Sequence, residues 1–273
     1  MNRALLGLAA AGLALVTNGA SAQTGETQSA AMGDFNISLT PRLQYLFVNS
    51  SDDSSNRTKQ ESYETVRFPF YGLTIGIQPR MLENIDFLIT PAYGRGSGEF
   101  TGITTAGARS GVFDVERFDL EVMGRYRPSE GPASLFAGIR YIAANVDSEL
   151  KSPAGNTYSS TGTRFLKEEN RFYLAEIGGG VAGNIGNSDK HALFANLIFA
   201  AGYSTHEEPN ALPGTNQDKS GFAAMVDANF GYQHSFSQTI SAHARYRALV
   251  IGAREINDPI VVHGPEIGMT FRF

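Results

Sequence analysis

The sequence contains no cysteine and no tryptophan, and beyond its first residues it has no long unbroken apolar run. The lack of cysteine excludes disulfide bonds and thiolate metal sites. No later segment reaches the roughly 20 apolar residues of a membrane-spanning helix, and the mean hydropathy is -0.18. The 27 acidic and 22 basic residues give a net charge of -5, so we expect no nucleic-acid partner. Any membrane insertion must therefore come from strands.

The N-terminal residues have the order of a secretory signal. A short basic start is followed by an apolar run and by a small-x-small site that ends at Ala22. This order predicts a signal peptide over residues 1–22, cleaved near Ala22. We expect residues 23–33 to be a flexible periplasmic leader and residues 34–273 to form one β-barrel domain.

The residues after Asp34 alternate between apolar and polar in about ten segments, which turn-rich stretches separate. In the last segment Ile267, Met269 and Phe271 share one face, while the other face carries both charge signs. Such a strand suits the wall of a membrane barrel, with lipid on one side and a polar lumen on the other. The predicted segments are 35–48, 65–78, 85–95, 115–127, 135–143, 173–181, 193–203, 222–232, 240–250 and 266–273.

Long and short connections alternate between these segments, as in barrels with long external loops and short periplasmic turns. The long connections are predicted at 50–64, 96–111, 147–170 and 204–220. Pro69 predicts a bulge or a change of register near the start of the second segment. The pattern predicts an all-β fold, an antiparallel up-and-down transmembrane β-barrel of about ten strands, within a range of eight to twelve.

The final strand, which ends in Phe271, Arg272 and Phe273, resembles the assembly signal of Gram-negative outer-membrane β-barrel proteins. The resemblance extends to small porin-like and OmpA- or OmpX-like barrels, without a specific subfamily. It implies that the protein lies in the outer membrane. It also implies that Phe271 and Phe273 engage the barrel assembly machinery.

The two faces of the segments predict two kinds of surface. Tyrosines have the parity of the lipid face and predict interfacial girdles, formed by Tyr45, Tyr71, Tyr93, Tyr126, Tyr141, Tyr173, Tyr203, Tyr232 and Tyr246. Charged residues of the opposite parity predict a lumen polar network, formed by Arg42, Asp86, Arg117, Asp119, Glu121, Arg125, Arg140, Glu176, Asp227, His243, Arg245, Arg247, Glu266 and Arg272. Ten strands are near the size at which side chains fill the interior, so we favour a self-paired plug over a narrow, gated pore.

Three arginines have lipid-face parity and lie just beyond the outer tyrosines. Arg67, Arg95 and Arg171 are candidate contacts for the phosphates of lipopolysaccharide, because guanidinium groups bind phosphate in a bidentate manner. The alternative is that they extend into water from the rim of the barrel.

Sequence signals for catalysis are weak. The strand count resembles that of the omptin proteases, and acids spaced i, i+2 occur at Asp114 and Glu116 and at Asp119 and Glu121, but the Asp-x-His of that family is missing. Residues 204–208, Ser-Thr-His-Glu-Glu, are the best candidate for a lipid A deacylase-like site. We expect a non-enzymatic barrel, structural or narrow and porin-like, without catalytic residue, metal or cofactor. The alternatives are an outer-membrane hydrolase and a soluble periplasmic lipocalin-like binder.

Overall fold

The computed structural model describes residues 34–49, 60–63, 66–104, 107–128, 131–151, 163–207, 218–254 and 259–273. The predicted signal peptide and periplasmic leader lie outside the described residues. Among the described residues, no helix is long and apolar enough to cross a membrane.

The described chain consists of strands joined by connections. The strands are β1 (Phe35–Asn49), β2 (Gln60–Tyr63), β3 (Val66–Pro79), β4 (Ile85–Thr104), β5 (Gly107–Tyr126), β6 (Ala133–Lys151), β7 (Thr163–Asn184), β8 (His191–Glu207), β9 (Lys219–Ser235), β10 (Ile240–Ala253) and β11 (Ile260–Arg272).

Each strand pairs antiparallel with its neighbours, and β1 pairs with β11, so the sheet closes on itself. The strands β2 and β3 both pair with β4, one above the other, and together form a single position in the wall. The fold is thus a closed barrel of 10 antiparallel strands, as the alternating segments predict. Closure removes the free edges that an open sheet would expose.

The second wall position contains a change of register on the side that faces β4. Tyr63 pairs with Phe100 and Phe70 with Gly94, so β2 and β3 advance by one residue more than β4 over this stretch. Pro69 lies within it, and a proline cannot donate a ladder hydrogen bond. On the other side, the pairing with β1 continues without a break through Pro69. The predicted register change is therefore present.

The two ends of the barrel differ in their connections. Short turns follow β3, β5, β7 and β9 at one end, which we call the inner end; the opposite end is the outer end. In outer-membrane barrels the short turns face the periplasm and the long connections face outward. Side chains along each strand also alternate between the inside and the outside of the wall. Along β9, Ala223 and Met225 are buried inside, while Phe222 and Val226 are exposed outside.

All four predicted long loops are wrong in extent: β2 lies within 50–64, and β8 and β9 enter 204–220 as far as Glu207 and Lys219. Residues 96–111 were expected to be a loop, yet β4 reaches Thr104 and β5 begins at Gly107. Likewise β6 and β7 continue into the predicted loop 147–170. Backbone pairing continues in these hairpins although the sequence there has no sustained apolar-polar alternation. Periodicity alone therefore places the strand ends too early.

Strand length also differs around the barrel. The strand β5 has 20 residues and β7 has 22, whereas β10 has 14 and β11 has 13. A tilted strand needs only about 9–11 residues to cross the membrane. The strands β4 to β7 therefore extend well past the outer end of β10 and β11, and form a raised wall on one side.

Candidate functional site

A buried ionic network crosses the middle of the barrel, with Arg140 of β6 at its centre. The Arg140 guanidinium donates to Asp119 of β5 at 2.8 Å and to Asp227 of β9 at 2.9 Å. Asp119 also accepts two bonds from Arg117, at 2.7 and 2.8 Å, and Asp227 accepts bonds from Arg247 of β10. Because β6 and β9 are not neighbours in the sheet, the network joins opposite walls and fills the lumen.

Two further acids face this network. Glu176 of β7 lies 3.6 Å from an Arg140 nitrogen, and neither of its carboxylate oxygens has a hydrogen-bond partner among the described residues. Glu121 of β5 stands opposite Arg140 in the register. Acids thus outnumber the arginines in this part of the interior.

Two smaller ion clusters lie nearer the inner end. Glu266 of β11 contacts Arg245 at 2.7 Å, His243 at 3.4 Å and Arg42 at 3.8 Å. Its side chain is almost fully buried, so three basic groups surround a single carboxylate. This cluster links β1, β10 and β11, the strands at which the barrel closes.

The second inner cluster surrounds Asp86 of β4. Asp86 accepts hydrogen bonds from Arg125 and lies 3.6 Å from Arg127, which the sequence did not single out. Arg272 differs from its expected place in the network. It is exposed at the inner opening, where it donates to the Gln238 carbonyl at 3.3 Å, because it stands at the last position of β11.

An apolar layer fills the interior above the ionic network, and the sequence did not predict it. Phe68, Ile142 and Phe172 are each only 1% exposed. The members of this layer are Leu46, Val66, Phe68, Phe70, Ala92, Phe113, Val115, Ile142, Phe172, Leu174, Ala200, Ala223, Met225, Leu249, Ile251 and Val262. They have the same parity as the lumen charges. A signal was present, because apolar residues occupy both parities in the outer parts of the strands.

Little space remains between the apolar layer and the ionic network. A cavity at this boundary has a volume of about 10 Å³. It is lined by residues of both, including Phe70 and Leu249 above and Arg117 and Asp119 below. Such a volume holds about one water molecule, so the boundary contains no room for a solute.

The tyrosines of the predicted girdles lie on the outer face of the wall. The register brings several to one level: Tyr71 pairs with Tyr93, Tyr141 with Tyr173, and Tyr173 with Tyr203. The Tyr141 and Tyr173 rings are 5.2 Å apart. Tyr45 and Tyr246 are exposed, and Tyr126 and Tyr232 lie towards the inner end of their strands. Their apolar surroundings and polar hydroxyls suit a membrane interface.

The three candidate lipopolysaccharide contacts have different neighbours. Arg171 pairs with Glu169 at 2.6 Å and with Glu207 at 3.4 Å. Arg95 lies 3.6 Å from Asp114. The Arg67 guanidinium instead lies over the Phe47 ring, 5.6 Å from its centroid. Arg67 therefore differs from the other two, whose charge is partly neutralised by acids of the same surface.

The residues considered for catalysis are divided between the two faces of the wall. Glu116 and Asp114 face outward, where Glu116 accepts a hydrogen bond from Tyr93 at 2.9 Å. Asp119 belongs to the buried network. His206 faces the outer mouth and its Nδ1 contacts Asn170 Oδ1 at 2.9 Å, while Ser204 on the same strand is buried. Among the described residues, no group of three or more His, Asp or Glu side chains is placed to hold a metal ion.

The predicted assembly residues lie at the seam of the barrel. Phe273 and Ile37 exchange two backbone hydrogen bonds, of 2.8 and 3.3 Å. Phe271 pairs with Leu39 of β1. The last strand thus closes the sheet, and its recognition by the assembly machinery stays a prediction.

Comparisons with known proteins show which solved structures have a similar fold. No protein-family model matches the chain, and no curated protein matches it either. Among solved structures, the chain is similar to the outer membrane protease OmpT from Escherichia coli, with 10% identity over 91% of this chain and 99% of that one and a TM-score of 0.54. It also matches the translocator domain of the autotransporter NalP from Neisseria meningitidis, with 14% identity over 99% of this chain and 95% of that one and a TM-score of 0.45.

At this level of identity the likeness shows the fold alone. The chain has the fold of an outer-membrane β-barrel protein, with membrane-crossing strands. This fold implies the outer membrane as its place in the cell. It disagrees with the alternative of a soluble lipocalin-like binder, because the outward face carries exposed residues such as Ile139 and Ile177 in a continuous apolar surface.

Proposed function

We propose that this protein is a non-enzymatic, non-conducting outer-membrane barrel with a structural role. The observation that carries the proposal is the apolar layer, in which Phe68, Ile142 and Phe172 are fully buried across the interior. The raised strands β4 to β7 then form a rigid support for segments outside the cell.

The argument against conduction rests on the path that an ion would take. An ion that entered from the outer end would leave water and cross a layer in which most lumen-facing side chains are apolar, at a cost of several kcal/mol. Below this layer it would meet the network of Arg140, Asp119 and Asp227, whose groups are already bonded to one another. Narrow pores need a continuous wet path lined by polar groups. Among the described residues of the outer half, lumen-facing polar groups such as Ser204 and Asn170 are scattered and buried, so they do not form such a path.

Planar-bilayer conductance tests the proposal. We expect the mature wild-type protein to give no steps, and the double variant Phe68→Ala, Phe172→Ala to give small steps, because the apolar layer is thinned. Phe118→Ala is the matched control, since that ring is 36% exposed on the outer face. Steps in the wild type would contradict the proposal.

One observation favours a second candidate function, a hydrolase at the outer mouth. Asn170 and His206 are register partners, and the amide oxygen holds the imidazole Nδ1 at 2.9 Å. A polar group that orients a histidine is part of many nucleophilic sites, and Ser204 lies two residues away. Against it, Ser204 is only 3% exposed. Release of fatty acid from lipid vesicles that is lost in both His206→Ala and Asn170→Ala would favour the hydrolase; no release would favour the structural barrel.

We also infer that lipopolysaccharide is a partner, with Arg67 as the preferred contact. Arg67 is exposed near the outer end of β3, and its neighbour is the Phe47 ring. Stacking on an aromatic ring leaves the guanidinium edges available for phosphate. Copurified lipopolysaccharide should fall in Arg67→Gln and stay unchanged in Arg95→Gln. Equal loss in both variants would contradict this choice.

A further inference from the structure

Two histidines that are distant in the sequence meet on the outer face of the barrel at its inner end. His191 begins β8 and stands directly opposite His234, near the end of β9. Their ring centroids are 4.7 Å apart, and the Phe236 ring packs edge-on against His234 at 4.6 Å. The pair has no sequence signature, because 43 positions separate the two residues.

Three polar atoms converge at this point. The two Nδ1 atoms are 3.3 Å apart, and the Tyr232 hydroxyl lies 2.5 Å from Nδ1 of His191. A ring nitrogen offers either one proton or one lone pair. His191 Nδ1 therefore cannot satisfy both neighbours with one good hydrogen bond each. The two Nδ1 atoms therefore border the same small volume, where each could offer a lone pair to an ion.

We propose that His191 and His234 bind a divalent transition-metal ion such as Zn²⁺ or Cu²⁺. Imidazole nitrogen is a preferred ligand of these ions, whereas Mg²⁺ and Ca²⁺ prefer oxygen. Ligands about 2.0–2.1 Å from a tetrahedral metal stand about 3.3–3.4 Å from one another, which the Nδ1 separation of 3.3 Å already matches.

The rest of the coordination shell is expected to be water. Both histidines are only partly buried, and they lie beside the turn between β7 and β8, at the periplasmic side of the membrane. When Nδ1 of His191 ligates the ion it has no lone pair left for Tyr232, so the Tyr232 hydroxyl, which lies beside the ion position, hydrogen-bonds to bound water instead. With two protein ligands the site resembles an open rather than a closed metal site.

His263 provides a matched contrast on the same face of the barrel. Its Nδ1 also contacts a tyrosine hydroxyl, that of Tyr246, at 2.6 Å, and its ring also stacks on an aromatic residue, Phe47. Its register partners are Phe47 and Ala248, neither of which is a metal ligand. His191 and His263 thus share a tyrosine contact and an aromatic neighbour, and of the two His191 has a histidine as its register partner.

Metal titration of the mature, untagged protein in detergent micelles tests the proposal. We expect calorimetry with ZnCl₂ or CuCl₂ to give one bound ion per chain, and His191→Gln and His234→Gln each to weaken binding at least tenfold. His263→Gln should bind like the wild type. Heat-modifiable gel migration checks that every variant is folded.

Electron paramagnetic resonance of the Cu²⁺-loaded protein gives a second measurement. The wild type should show hyperfine coupling to two nitrogens, and each single variant should show at most one. Equal affinity in the wild type and both histidine variants would overturn the proposal. A wild-type spectrum without nitrogen coupling would overturn it as well.

Discussion

The outer half of the barrel interior is filled mainly by apolar side chains, and the half below it contains the ion pairs together with a smaller apolar cluster of Met123, Phe136 and Ile198. In the outer half, Phe68 and Phe172 exclude water by packing alone. In the lower half, Arg140 and Asp227 have little contact with water, yet their charges are compensated by direct bonds. Apolar packing therefore closes the outer half of the lumen, and ion pairing closes the lower half. We expect the two halves to tolerate different substitutions.

The largest expected effect comes from placing a charge in the wrong half. Ala223 and Asn229 lie on the same face of β9, the first in the apolar layer and the second beside Arg247. Ala223→Asp should destabilise the barrel by several kcal/mol or prevent folding, because the carboxylate has no partner there. Asn229→Asp should destabilise the barrel far less. Denaturant unfolding in lipid vesicles measures both, and equal losses would mean that the two halves do not differ in polarity.

The second effect tests the ionic half directly. Asp227→Ala should cost about 3–5 kcal/mol, since Arg140 and Arg247 would keep their charges without this acid. The exposed pair of Asp114 with Arg95 is the control, and Asp114→Ala should cost less than about 1 kcal/mol. If both variants unfolded at the same denaturant concentration, the buried network would not contribute to stability.

The third effect tests the apolar half. Leu46 is 2% exposed inside β1, whereas Leu43 on the same strand is 39% exposed outside. Leu46→Ala should cost about 2–3 kcal/mol, because rigid neighbours leave a cavity. Leu43→Ala should cost less, since lipid chains fill the lost volume. A larger loss for Leu43→Ala in thermal unfolding would show that the interior is not tightly packed.

The sequence predicted the ionic half and missed the apolar half for one physical reason. Alternation is readable where the two faces meet different solvents, as around Arg117 and Phe118. Near Phe68 and Phe172 the inner face is apolar as well, so the contrast is lost although the strand continues. The fold class and the strand count needed only the alternating stretches, and the structure confirms both.

Contacts between distant strands were outside what periodicity can predict. Parity alone puts Arg140 and Asp227 in the lumen, but only the closed register shows that they bond across it. The same holds for His191 and His234, which the register makes direct partners. The outer ends of β4 and β5 could not be predicted either, because the sequence there has no sustained apolar-polar alternation.

The smallest expected effect concerns ions that belong to neither half. Lys167, Glu169 and Arg171 lie on β7 beyond the outer tyrosine level, in contact with water. The hydrogen bond from Lys167 lowers the pKa of Glu169 below its ordinary value. A lowered carboxylate pKa stabilises the folded state above the unfolded pKa of about 4.3, and this contribution disappears as the pH falls through the folded pKa.

Glu169→Gln should therefore reduce stability near neutral pH by less than about 1 kcal/mol, because water and salt screen exposed ions. The difference from the wild type should vanish on acidification through the window below about pH 4.3, and it should shrink in high salt. Unfolding curves at several pH and salt values measure this. A difference that persisted at low pH would assign the stabilisation to packing of the Glu169 stem, whereas the buried Asp227 bonds should be nearly insensitive to salt.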